Sequence, residues 1–307
     1  MPALAAFEGR ILVCAFEGWN DAGEAASTAV RTLRDQLDVA PLAVFDSEEI
    51  FDYQLVRPQI ELTDTGDRRI AWPTITLFCP QVPHVRAASI ATDAQLAVSG
   101  QNASSVYLLT GPEPTRNWKT FTDEVVDLCL AADIQAVVFL GALLADAPHT
   151  RPIAIFTSSE NAEVRSAMEI ERSTYEGPTG ILAVLAAACE TAGMVTVSLW
   201  ASVPHYVHHT PSPKATLALL DSVEELIDVT IPRGELVTQS HEWEHQIDAM
   251  ARNDDEMASY ISALEEARDE TTGQPISGEA LAREFEDFLR NREDSPNDDS
   301  AEEHGGA

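Results

Sequence analysis

Residues 10–37 read "RILVCAFEGWNDAGEAASTAVRTLRDQL", and two periodicities meet inside them. "RILVCAF" (10–16) is an unbroken apolar run of strand length, whereas "AGEAASTAVRTLRDQL" (22–37) repeats its apolar positions at helical spacing through Ala25, Ala29, Val30, Leu33 and Leu37. A buried strand followed at once by a helix opens a β/α unit. The loop between them, "EGWNDAG" (17–23), sits at the carboxyl end of the strand, where open α/β sheets place ligand crevices.

The pattern extends along the chain. "PLAVFD" (41–46) completes a βαβ unit of parallel strands, and "QIELTD" and "RRIAW", separated by "TGD", read as a hairpin. Strands follow at "TITLFC" (74–79), "SVYLLTG" (105–111), "AVVFLG" (136–141), "PIAIFTS" (152–158) and "MVTVSLWASV" (194–203), for a sheet of seven or eight strands. Helices are predicted near 84–99, at 117–132, at 177–193 and at 212–229, the last with Ser212 as N-cap and Pro213 at its first position. Beyond residue 233 the strand signals stop. Residues 241–268 read as one long acidic helix with Trp243, Ile247, Met250, Met257, Ile261 and Leu264 on its apolar stripe, and 278–291 as a shorter one. The expected organisation is an α/β domain over 1–233, a helical extension over 234–291 and a disordered acidic tail over 292–307.

Charge narrows the partners. The chain has 19 basic and 51 acidic residues, a net charge of −32, which repels phosphate backbones and anionic lipid headgroups, so neither nucleic acid nor membrane is an expected partner. Residues 234–307 hold 21 acidic and 5 basic residues, half of that net charge in about a quarter of the chain. The N-terminus shows no signal-peptide pattern and no apolar run is long enough to cross a bilayer, which places the protein in the cytoplasm by expectation. Cys14, Cys79, Cys129 and Cys189 lie far apart in apolar stretches without a C-x-x-C pair, so they read as buried reduced thiols.

The loops after the strands carry the polar chemistry. Trp19, Asn20 and Asp21 lie in the first, and Asp21 with Glu24 three residues on matches a capping box. A large apolar Trp19 on a turn calls for a cover, and a neighbouring loop or a second subunit is the expected one. Glu113 and Arg116 lie in "TGPEPTRNW", Asp146, His149 and Arg151 in "DAPHTRP", and His205, His208 and His209 in "VPHYVHHT". If the preceding strands are parallel, these loops share one rim and can assemble a carboxylate, an imidazole and a guanidinium. Arg116 and Arg151 either grip an anionic ligand or pair with Glu113 and Asp146. No metal is expected at the histidines, which lack a nearby carboxylate. There is no P-loop, no G-x-G-x-x-G and no G-x-S-x-G elbow, so no nucleotide cofactor and no catalytic residue is assigned.

Several segments together, "AFEGWNDAG", "GPEPTRNW", "ADAPHTRP", "YEGPTGILAVL", "SLWASVPHYV" and "SPKATLALL", resemble the proteasome assembly chaperone two family, and most of all its actinobacterial members of unassigned function. The resemblance spans about residues 8–290. It implies a three-layer α/β/α domain similar to the nucleoside phosphorylase and hydrolase type, a helical C-terminal extension, and homo-oligomers, often trimers. Relatives that dock on proteasome rings tend to end in a hydrophobic-Tyr-any tail. This sequence reads "EEHGGA" there, so docking of that kind is not expected. Two function classes stay open. A homo-oligomeric binding or assembly-chaperone-like protein predicts large apolar subunit surfaces. An enzyme of hydrolase or carboxylate-amine ligase type, acting on a small anionic substrate, predicts a pocket where carboxylate, His and Arg converge.

Overall fold

The computed structural model describes residues 7, 9–81, 99–100, 103–173, 175–208 and 210–270. In chain order the elements are β1 (Ile11–Glu17), α1 (Ala25–Gln36), β2 (Val39–Phe45), β3 (Gln59–Leu62), β4 (Arg68–Ala71), β5 (Ile75–Pro80), β6 (Ser99–Gly100), β7 (Val106–Pro112) and α2 (Trp118–Ala131). There follow β8 (Ala136–Ala145), β9 (Ile155–Ser158), α3 (Ala162–Met168), α4 (Ile181–Thr191), β10 (Val195–Pro204), α5 (Pro213–Ile227), β11 (Val229–Thr230), α6 (Leu236–Ala251) and α7 (Asp255–Glu270).

The opening strand is the centre of the molecule. β1 pairs in parallel with β7 on one side and β8 on the other, and β8 pairs in parallel with β10. The seven-stranded sheet has the order β2-β5-β7-β1-β8-β10-β9, with β5, β2 and β9 joined to their neighbours in antiparallel fashion. Alternation along β1 feeds two cores. Ile11, Val13 and Ala15 pack with Leu33 of α1 and Leu219 of α5, while Leu12, Cys14 and Phe16 pack with Phe121 of α2 and Leu185 of α4. Helices therefore cover both faces, giving three α/β/α layers. Each such fully buried Leu, Ile or Phe contributes roughly 1.5–3 kcal/mol relative to leaving it in water.

β2 corrects the βαβ reading, because it lies at the sheet edge, separated from β1 by β5 and β7. Its register shifts between Pro41 and Ala43, and Leu42 and Val44 are exposed. A proline has no N–H for a ladder, and an edge tolerates that loss. The β3–β4 hairpin forms as expected, a separate two-stranded ribbon that lies in sequence between the edge strand β2 and its neighbour β5.

The single acidic helix expected over 241–268 is two helices. α6 ends at Ala251, and the Asp254 carboxylate accepts from the Glu256 and Met257 N–H groups to start α7. Trp243 and Ile247 pack on Val207 with Tyr206 and Met257, whereas Met250 is exposed. Ser212 caps α5 through the Ala215 N–H, with Pro213 at its first position. All four cysteines are free, and burial pushes the Cys129 and Cys189 thiols up to about 12. Among the described residues no helix is long and apolar enough to cross a membrane. The expected helices at 84–99 and 278–291 and the tail over 292–307 lie outside the described residues, apart from the two residues of β6.

Candidate functional site

The four loops share one rim, since β7, β1, β8 and β10 are mutually parallel and their carboxyl ends point the same way. Their side chains nevertheless separate into three groups.

The first group gathers at the end of β1. Gly18 adopts a φ of +107°, open to glycine, and turns the chain so that Asn20 and Asp21 point inward at 5% and 7% exposure. Trp19 is turned outward and is 39% exposed, so the expected burial of this side chain is not met within the chain. The loop is pinned to β8, where the Ala142 N–H donates to the Asn20 carbonyl at 2.8 Å. Asp21 holds the start of α1: its Oδ1 accepts from the Ala26 and Ser27 N–H groups at 2.8 and 3.1 Å. Burial raises its pKa against the pull of those bonds. The capping box with Glu24 does not form, because Glu24 sits at a φ of +49° and its carboxylate pairs with Arg31.

Glu113, one residue past β7, joins this group from the neighbouring strand. Its Oε1 accepts from the Ile181 N–H at 3.0 Å and so caps α4, whose N-cap is Gly180 and has no side chain to do it. Burial raises the Glu113 pKa. Asn20 packs directly on Gly180, where any Cβ would collide with its carboxamide. Beside these residues opens a cleft of about 370 Å³ between α4 and the ends of β9 and β10.

Arg116 forms the second group alone. Its guanidinium pairs with Asp52, not with Glu113, and the Gln54 N–H together with Arg116 holds the Asp52 pKa low.

The third group lies under the C-terminal helices. His149 is fully buried: its N–H donates to the Tyr206 hydroxyl at 2.7 Å, its Nδ1 lies 2.9 Å from the same oxygen, and its Nε2 lies 3.1 Å from Asp248 of α6. Arg151 grips Asp269 with two nitrogens, at 2.8 and 2.7 Å, and reaches Glu265, both on α7. The expected partner Asp146 instead lies 3.1 Å from His205 Nδ1 without hydrogen-bond alignment and accepts from Tyr260. Lys214 donates to the His149 carbonyl and to Glu244.

The structure thus brings Asn20, Asp21 and Glu113 together, and His149, Arg151 and His205 together, but does not merge the two sets into one pocket. α6 and α7 occupy the rim above β8 and β10, and their acids take the cations that a ligand would need. Tyr206, Lys214, Asp248, Glu265 and Asp269 were not among the expected residues. For Asp248 and Glu265 the signal in the sequence is the charge complementarity between the acid-rich 241–268 and the basic loops. His209 lies outside the described residues, and among the described residues no group of three or more His, Cys, Asp or Glu is placed to hold a metal ion.

A three-layer α/β/α sheet with four central parallel strands and a helical pair strapped over part of their carboxyl rim defines the class of protein. The chain belongs to the PAC2 family, whose model matches residues 15–251. The crystal structure of a PAC2 family protein from Streptomyces avermitilis is 40% identical, covering 82% of this chain and 99% of that one, with a TM-score of 0.69. A Mycobacterium tuberculosis proteasome-assembly chaperone homologue is 39% identical with the same coverage and a TM-score of 0.68. An archaeal proteasome activator from Pyrococcus furiosus, 13% identical over 79% of this chain and 93% of its own, has a TM-score of 0.59 and shares the fold alone. No curated protein matches the chain.

Proposed function

We propose that this protein is a homo-oligomeric, assembly-chaperone-like protein that acts by binding other protein surfaces. One observation carries the reading. The segment from β2 to the end of the β3–β4 hairpin exposes Leu42, Val44, Leu55, Ile60, Leu62, Ile70 and Trp72. Ile60 and Ile70 face each other across the hairpin, and Leu62 shares their face by the two-residue alternation of a strand. Leu55 and Leu62 are each 73% exposed. Scattered apolar residues are ordinary on a surface, but this concentration on one hairpin and on the edge strand that precedes it in the chain is the composition of an interface. The membership in the PAC2 family, and a relative described as a proteasome-assembly chaperone homologue, support the same reading. Trimers are the assembly that the family likeness favours.

A hydrolase or ligase acting on an anion draws less support, because Arg116 and Arg151 are both engaged by carboxylates of this chain. Sedimentation velocity on the full chain tests the assembly reading. It expects a mass that is a multiple of 33.3 kDa at micromolar concentration. A single 33.3 kDa species across the accessible concentrations contradicts it.

A further inference from the structure

The cleft beside the first helix turn of α4 holds polar groups that no described residue satisfies. The Asn20 side chain, 5% exposed, borders it, and its Nδ2 has no hydrogen-bond partner. Orphaned buried amides are rare because leaving one unpaired costs about 1–3 kcal/mol, so each calls for an acceptor. Ser198 of β10 and Ser158 of β9 stand opposite each other across the strand pair and also line the cleft. Neither hydroxyl is bonded to another described residue. Leu143, Trp200 and Ala183 and Ala187 of α4 form an apolar side of the wall, the small alanine side chains leaving the space open, while Ser159, Glu160, Ser173, Tyr175, Thr179 and Thr196 add polar residues to the lining. Trp200 presses against β8 at Gly141, where a Cβ would strike the indole ring. The volume, about 370 Å³, lies in the range of small-molecule pockets.

Charge selects among ligands. Among the described residues Glu160 is the one charged residue on the wall, its carboxylate already paired with Arg172 at 2.9 Å, and no cation lines the cleft itself. An anion would enter unpaired, whereas a neutral acceptor satisfies Asn20 without that cost. We propose that this cleft binds an uncharged small molecule with a carbonyl-type acceptor at its head and a mainly apolar body, the head on Asn20 Nδ2 and the serine pair, the body against Trp200 and the alanines. The site goes beyond the assembly reading and does not depend on it.

Benzamide is a suitable probe and benzoate its charged isostere. Titration of the full chain, followed by calorimetry and ligand-observed NMR, is expected to show saturable benzamide binding and benzoate at least about tenfold weaker. Asn20→Ala removes the unpartnered amide together with its packing on Gly180, and it should weaken benzamide about three- to tenfold. Should that variant fold poorly, Ser198→Val, at a half-exposed position, gives the same reading through the other end of the head group. Absence of saturable binding, benzoate binding as tightly as benzamide, or unchanged affinity in both variants overturns the assignment. Benzamide affinity that rises as the protein is diluted also overturns it, since a second copy would then be the occupant.

Discussion

His149 Nε2 lies 3.1 Å from Asp248 Oδ1, and this contact ties the loop after β8 to α6 across 99 residues of chain. With the Tyr206 hydroxyl on the other side of the ring, the imidazole is bonded at both nitrogens while fully buried. Such a hub is costly to break halfway, because each orphaned partner keeps its desolvation penalty. His149→Ala should cost roughly 2–4 kcal/mol and expose α6 and α7 to protease before the rest of the chain unfolds. Limited proteolysis alongside a thermal melt checks this, and unchanged cleavage kinetics would count against a strap.

Trp243 anchors the same helices by packing rather than polarity. It is nearly buried against Val207, Ile247 and Tyr206, so Trp243→Ala should destabilise by about 3–5 kcal/mol through the lost area and the void. Denaturant unfolding of the variant gives the number directly.

Asp21 holds the start of α1 through one carboxylate oxygen, Oδ1, which accepts from both the Ala26 and the Ser27 N–H groups. Asn presents the same acceptor to Ala26 and Ser27, so Asp21→Asn should stay within about 0.5 kcal/mol of the parent, while Asp21→Ala should lose about 1–2 kcal/mol with the helix start. Equal losses in the two variants would show that the ionised carboxylate itself is required.

Glu113 supplies a pH test. Burial raises its folded pKa above its ordinary value of 4.5, so the folded state holds the proton more tightly than the unfolded chain. Its contribution is fully present below the ordinary value and is lost as pH rises through the raised one. Gln keeps an acceptor for the Ile181 N–H without the charge. Glu113→Gln should therefore be neutral or stabilising at pH 7, and the parent should gain on it as the solution is acidified toward pH 4. Melts of both proteins at four or five pH values check the slope, and a parent that loses ground on acidification would reverse the sign.

The parts legible in the sequence were those set by local pattern. The strand and helix of residues 10–37, the Ser212–Pro213 helix start and the β3–β4 hairpin follow from periodicity and cap chemistry within a few residues. The edge position of β2 was not legible, because which strands pair is decided by contacts remote in sequence. The break between α6 and α7 did leave a signal, Asn253 and Asp254 before Glu256, that a continuous apolar stripe outweighed. At the candidate site the loops were found and the partners were not. Arg116 meets an acid 64 residues away and Arg151 one 118 residues away, separations over which spacing carries no information. Short α3 left a signal in Asn161, whose carboxamide caps it through the Glu163 and Val164 N–H groups, whereas the cleft beside α4 arises from packing between segments remote in sequence.

The central claim is that the apolar hairpin between β2 and β5 is the surface through which the protein associates. Ile60→Asp with Ile70→Asp puts two like charges at an exposed, directly opposed cross-strand pair, where they have little buried packing to disrupt. Sedimentation equilibrium of the parent and this double variant, with melts in parallel, reads association separately from folding. The account predicts an oligomeric parent and a 33.3 kDa monomer in the variant with the cooperative melt of the α/β/α sheet retained. A variant that folds and still assembles as the parent does would contradict it.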